Sequence, residues 1–394
     1  MSIFTSGEIL LPQNVELNKW SVIAVDQFTS NQEYWQRVEQ FVGAAQSALH
    51  LVLPEIYLDD DCEERIAKIN ATMRKYLLQF TFRSCEKAYI YIERTLQNGL
   101  IRRGLLGVVD LENFDYQKSS QSLIRPTEQT VLSRIPPRQA IRRDAVLELP
   151  HVLLLCNDVD DLIFGSIAKI KNDLPLLYDF ELMEGGGRIC GYLLQGEAEK
   201  AVSQAVEKYE ANKTLCYAVG DGNHSLSAAK ACYEEEKSKG GKDLPSRYAL
   251  VELGNIQDES QKFEPIHRLL KNVQIQEVLD FLNSDEGCTL QYITANGKGK
   301  IKIDCCSGEL PVGALQRKLD EYLSQHSGAI DYIHGEEELE HLAKQENNIG
   351  FVLPPIDKNA FFESVAQNGV LPRKTFSMGH AQEKRYYLEA RKIK

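Results

Sequence analysis

Residues 214–241 read TLCYAVGDGNHSLSAAKACYEEEKSKGG. The first six, 214–219, form an apolar run closed by Gly220, which predicts a buried strand. Leu226, Ala229, Cys232 and Tyr233 then recur at helical spacing as far as Gly240 and Gly241, which predicts an amphipathic helix ending there. Asp221, Asn223, His224 and Ser225 lie between strand and helix body. Gly220 and Gly222 allow a sharp turn and a close approach to a ligand. A helix start offers N–H groups and the positive end of the dipole, both of which favour an anion. A carboxylate, an imidazole and a hydroxyl are thereby grouped beside a seat for phosphate. The same residues suit an ordinary capped connection, but so tight a polar group favours a functional turn.

The chain of 394 residues is too long for one ordinary core. The expected division is 1–150, an α/β region; 151–272, the core carrying the GDGNHS turn; and 273–394, a smaller C-terminal α/β domain. With 43% hydrophobic and 26% charged residues, the composition is that of a soluble globular protein. A formal net charge of -12 disfavours nucleic acid and anionic membranes as partners, because phosphate attraction needs a basic surface. The first residues, MSIFTSGEILLP, lack a basic segment followed by an apolar run, so no secretory signal is expected. No stretch approaches membrane-spanning length. The nine cysteines are scattered, with no C-x-x-C pair, which suits reduced thiols in a cytoplasm.

Upstream, residues 8–12 and 20–25 (WSVIAV) predict strands, the second running into Asp26. Asp26 is either a helix-entry residue or part of a ligand site at a strand's carboxyl end. Ser30 and Glu33 have capping-box spacing for a helix with Tyr34, Trp35, Val38, Phe41 and Val42 inward. Residues 50–58 read as another strand, and a helix follows over 59–78. Asn98-Gly99 predicts a hairpin between strands 88–94 and 100–111.

The segment SLIRPTEQTVLSRIPPRQAIRRD concentrates Arg125, Arg134, Arg138, Arg142 and Arg143 in an acidic chain. Guanidinium forks match phosphate or carboxylate oxygens two at a time. The alternative is a salt-bridge network. Pro136 and Pro137 argue against a regular helix, so a shaped loop is expected. Downstream, 151–157 predicts a buried strand, 176–183 and 188–194 a hairpin, and 247–253 a strand. His267 and Arg268 in FEPIHRLL are placed at a strand-to-helix transition and are candidates for an anion contact. From about 273 strands and helices alternate. The final stretch, LPRKTFSMGHAQEKRYYLEARKIK, reads as a basic surface tail, from which Arg373 and Lys374 could reach an anion.

No P-loop and no G-x-S-x-G elbow occurs. The inventory supplies what phosphoryl transfer needs: cations for phosphate, a carboxylate for the acceptor proton, and Mg²⁺ arriving with the donor, with no protein metal cage. It would equally supply a phosphatase or an anion sensor.

The turn GDGNHSLSAAK resembles the D-G-H-H-R-Y turn of the ParB-like superfamily, which includes ParB proteins, sulfiredoxin and free-serine kinases. Nearly the whole chain resembles the family catalogued as domain of unknown function 1015, through WSVIAVDQFTS, LHLVLPEIYL, RPTEQTVLSRIPPR, GDGNHS, PIHRLL, DYIHG and LPRKTF. The resemblance implies a mixed α/β fold with a ParB-like strand-turn-helix core. It further implies phosphorylation of a free amino acid, L-serine first, with ATP, ADP or pyrophosphate as donor and Mg²⁺ as cofactor. It matches Asp221, Gly222 and His224 to the Asp, Gly and second His of the turn. Asn223 stands for the first His and Ser225 for the Arg, a departure that removes a phosphate contact. The arginines at 125–143 are the expected replacement, and Glu128 resembles the family's acidic residue and general base. The partners expected are a small anionic substrate and a phosphate donor, with a homodimer left open. Two other readings stand beside the kinase: a non-catalytic regulatory protein binding an anionic metabolite, and a ParB-like nucleic-acid binder.

Overall fold

Tyr89, Ile90, Tyr91 and Ile92 succeed one another in a strand and are all buried. Side chains alternate across a strand, so such a run needs a core on each face of its sheet. A computed structural model of the chain describes residues 2–24, 28, 31–57, 62–117, 120–150, 152–306, 309–372, 374–379 and 381–394, and it supplies both cores. Ile90, Ile92, Leu106 and Val108 pack with Trp20, Trp35 and Leu388 on one side. Tyr89, Tyr91, Leu105 and Val109 pack with Phe164, Tyr217 and Leu226 on the other.

The fold is mixed α/β. Among the described residues the main sheet has ten strands, eight of them along one path. Their order is Ile124–Pro126, Tyr217–Asp221, Leu153–Cys156, Tyr248–Asn255, Ile101–Asp110, Phe82–Thr95, Arg188–Leu194 and Leu176–Glu181. Tyr217–Asp221 runs parallel to Ile124–Pro126 and antiparallel to Leu153–Cys156, which in turn is parallel to Tyr248–Asn255. The rest of the path is antiparallel.

The chain divides into two units. The first comprises Met1–Pro126, Thr130–Gln261 and His380–Lys394, and the second Thr127–Gln129 and Lys262–Gly379. The expected boundary at 150 falls inside the first unit, and that at 272 lies one residue past the strand Phe263–Lys271 of the second. The second unit is built on an antiparallel sheet in which Phe263–Lys271 pairs with Ala329–His334, Ile349–Val352 and Phe376–Met378. The helix Pro311–Gln325 contributes Val312, Leu315 and Leu319 to its core.

Several local expectations change. Of the strand expected over 20–25, residue 25 lies outside the described residues and 20–24 are not a strand: Trp20 ends the helix Leu17–Trp20, and Val22 makes a single bridge to Tyr387. The helix Gln32–Val42 is capped by Asn31, which accepts the Tyr34 N–H, and Phe41 is exposed. Of the strand expected over 50–58, residue 58 lies outside the described residues and 50–57 hold short 3₁₀ turns, because Pro54 interrupts any ladder. Cys288 and Cys305 form a disulfide rather than free thiols. The hairpin Cys288–Thr294/Gly297–Ile303 sets Cys288 opposite Ile303, which brings Cys305 round to it. Among the described residues no helix is long and apolar enough to cross a membrane.

Candidate functional site

The turn at residues 221–225 is formed by a strand forced to end and a helix that starts at once. Tyr217, Ala218 and Val219 are fully buried. The pairing with Leu153–Cys156 shifts register between Val219 and Asp221. Gly222 then adopts φ +81°, where a Cβ would lie 3.1 Å from Val152 Cα and 3.0 Å from its Cγ2. Any other residue would be strained in that conformation and crowded against Val152. The helix Asn223–Ser238 follows, burying Leu226, Ala229, Cys232 and Tyr233 as its spacing predicts. Its cap residue is Gly222, so no side chain covers the first amides from the cap position.

Asp221 and His224 face different partners. Asp221 Oδ1 accepts the Gly222 N–H at 2.9 Å, and Oδ2 lies 3.4 Å from Lys384 Nζ. His224 Nε2 accepts the Val131 N–H at 3.1 Å, which places the proton of the neutral ring on Nδ1. Asn223 Oδ1 is enclosed without a hydrogen-bond partner. So is the hydroxyl of Thr130, the residue before Val131, which is 6% exposed.

The arginine segment is not one shaped loop: Arg125 lies in the strand Ile124–Pro126, Arg134 ends a 3₁₀ turn, and Ile135–Arg143 is helical with Pro136 and Pro137 in its first turn. A proline there loses no hydrogen bond, because first-turn amides have no intrahelical acceptor. This helix packs on Asn223–Ser238, with Cys232 Sγ 3.8 Å from the Gln139 carbonyl and Arg143 3.3 Å from Glu235. Arg125 is buried and donates to the Ser122 and Thr214 carbonyls at 2.8 and 3.0 Å. Arg142 is 2.6 Å from Glu148, which Arg391 also meets at 2.9 Å. Burial alone would raise the Glu148 carboxyl, but these two guanidinium groups outweigh it and hold it below the usual range. Arg125 and Arg142 thus both make contacts within the fold. Arg138 is half-buried and donates to the carbonyl of Arg134, which is exposed.

The remaining candidates lie in the second unit or outside the described residues. Glu128 accepts the Thr375 N–H at 3.3 Å, bridges to Leu371, and adds its charge to the surroundings of Arg268. His267 and Arg268 sit inside a continuous strand rather than at a strand-to-helix transition. His267 Nδ1 accepts the Leu353 N–H at 3.1 Å, and burial pushes the ring below the usual histidine value. Arg268 is fully buried, donating to Gln316 at 2.7 Å and to the Ile266 and Lys374 carbonyls at 2.6 and 2.9 Å. Burial pulls it down to about 10. Lys374 has an exposed side chain. Asp26 and Arg373 lie outside the described residues.

One site residue escaped the sequence reading. The closing segment is no surface tail: Arg385, Tyr386, Leu388, Glu389 and Ala390 are all buried. Arg385 pairs with Glu252 at 2.7 Å and also with Glu389. This segment carries Lys384 to Asp221. The period-2 run YYLEA was the available signal, since Tyr386, Leu388 and Ala390 are apolar at every second position.

The chain is similar to several solved structures at low identity. One is a free serine kinase in complex with AMP, at 12% identity and TM-score 0.39, covering 73% of this chain and 90% of that one. Another is SbnI with C-terminal truncation from Staphylococcus aureus, at 11% and 0.37, covering 72% and 85%. A third is a conserved hypothetical protein from Pyrococcus furiosus, at 13% and 0.34, covering 71% and 90%. No curated protein matches the sequence. The family described as Protein of unknown function (DUF1015) matches residues 10–393, and with nearly its whole length so matched the chain belongs to that family.

Proposed function

We propose that residues 221–225 form the phosphate seat of a small-molecule phosphotransferase, with free L-serine as the first acceptor to test. The observation that carries this reading is the grouping, within one turn, of Asp221, a neutral His224 and a glycine-capped helix start. Helix-start amides and the dipole stabilise phosphate charge, and in phosphoryl transfer positioning and charge stabilisation do most of the work.

In the reaction, the acceptor hydroxyl oxygen forms a bond to the donor's terminal phosphorus. The bridging P–O bond of the donor breaks, and the remainder leaves with that electron pair. The hydroxyl proton passes to a carboxylate, for which Asp221 of the same turn is the candidate. His224, anchored through Nε2 by the Val131 N–H, orients the turn around the incoming oxygens. Among the described residues no three His, Cys, Asp or Glu side chains gather as a metal site. Mg²⁺ would arrive with the donor, Asp221 is the carboxylate of the turn that would lie beside it, and the ion would neutralise donor charge.

The test is direct. The protein is incubated with L-serine, Mg²⁺ and ATP, ADP or pyrophosphate in turn, and phosphoserine is measured. Phosphoserine with at least one donor, lost in Asp221→Asn, supports the reading. No product with any donor, or product indifferent to both Asp221→Asn and His224→Ala, overturns it.

A further inference from the structure

Residues 221–225, DGNHS, include no lysine or arginine. The geometry points to Lys384 as the missing charge: we propose that its ammonium binds the phosphate held at this turn. The proposal rests on the phosphotransferase reading of the turn and names the residue that would hold its anion.

The pairing of Lys384 with Asp221 is loose. At 3.4 Å it exceeds the roughly 2.7–2.9 Å of a charge-assisted N–H···O bond. One carboxylate oxygen also cannot use all the donors of an ammonium. The lysine side chain is 12% exposed and the aspartate 35%, so the stem is buried while the pair opens to solvent on the carboxylate side.

The backbone that presents Lys384 is held unusually firmly. Arg94 donates to the carbonyls of Gln382, Glu383 (3.1 Å) and Lys384 (2.6 Å), and to Gly186 (2.9 Å). Arg102 adds a bond to the Glu383 carbonyl at 2.6 Å. The next residue, Arg385, is buried between Glu252 and Glu389. Burying two guanidinium groups against three successive carbonyls is expensive; burial, with Arg102 alongside, pulls Arg94 down to about 9. A half-open ion pair returns little stability. A preorganised cation beside a helix start has a clear use, because no ordering is left to be done when the anion arrives.

The experiment measures binding of pyrophosphate and of inorganic phosphate by calorimetry, without Mg²⁺, to wild type, Lys384→Gln, Lys384→Arg and Asp221→Asn. Lys384→Gln is expected to weaken pyrophosphate at least about tenfold, and Lys384→Arg to restore most of the loss. Asp221→Asn removes the competing carboxylate and is expected to tighten binding, a change that a purely structural pair would not produce. This variant also decides the matter should Lys384→Gln fail to fold. Unchanged binding in Lys384→Gln, unchanged or weaker binding in Asp221→Asn, or no binding of either probe by wild type overturns the proposal. If Lys384→Gln loses pyrophosphate while wild type makes no phosphoserine, Lys384 is an anion-binding residue and the phosphotransferase reading alone falls. If phosphoserine forms with an unaltered KM for the donor in Lys384→Gln, the reverse holds.

Discussion

His224 Nε2 accepts the backbone N–H of Val131 at 3.1 Å, tying the start of one helix to the segment that leads into another. His224→Ala leaves that amide without its acceptor, at a cost of about 1–3 kcal/mol where the group stays buried. His224→Gln offers an amide oxygen instead. Urea unfolding is expected to show a loss in the alanine variant and partial recovery with glutamine, while neither restores phosphoserine formation. Recovery of turnover with glutamine would reduce the histidine to a tether.

Gly222 holds a left-handed conformation against Val152. Gly222→Ala adds both backbone strain and a contact 3.1 Å from the Val152 Cα. The variant is expected to lose about 1–3 kcal/mol in equilibrium unfolding. A melting curve equal to wild type would show that the turn relaxes freely.

Glu128→Gln keeps an oxygen for the Thr375 N–H and removes the negative charge. If Glu128 is the base, turnover falls by about 10²–10⁴ at a temperature where the variant is still folded, even though loss of its charge beside the buried Arg268 lowers the melting temperature. Equal turnover in Glu128→Gln, with loss in Asp221→Asn, assigns the proton to Asp221.

Arg385 is enclosed with Glu252 and Glu389, whereas Arg143 and Glu235 meet at the surface with side chains 53% and 33% exposed. Removing one partner of a buried pair strands the other, so Arg385→Met is expected to cost about 3–5 kcal/mol. Arg143→Ala is expected to cost about 0–1 kcal/mol, since water already screens it. Denaturant midpoints of the two variants measure the contrast directly.

His267 is held neutral by burial, with its ring value below the ordinary 6.5. The folded state therefore binds fewer protons than the unfolded chain below that value. Its contribution is intact above pH 6.5 and is lost as pH falls beneath it. Stability of the wild type should drop more steeply with acid than that of His267→Gln. His50 is lowered in the same direction by burial and remains in both proteins, so the difference between the two curves isolates His267.

The strand, turn and helix at 214–241 were legible because period, glycine and polar cluster all agree there. So were the hairpin at Asn98-Gly99 and the alternating elements after 273. The arginine helix was hidden by Pro136 and Pro137, whose effect depends on whether they open a helix or fall within it. The uses of Arg125 and Arg142 were hidden for another reason: their partners, Thr214 and Glu148, are fixed by tertiary packing rather than by spacing. Lys384 was the costliest omission. A lysine within a basic stretch looks like solvent-facing charge until the buried residues around it are placed.

Residues 380–394 belong to the first unit although the chain from 262 to 379 builds the second. Leu388, Ala390 and Ile393 complete a core that also contains Ile9, Leu11 and Trp20. During synthesis the first unit must therefore wait, with that core unfinished, until residues 380–394 leave the ribosome. Residues 262–379 emerge earlier and are free to fold first. Premature termination near residue 380 would yield a chain whose later-made unit is sound and whose earlier-made unit is open, a natural substrate for chaperones and proteases.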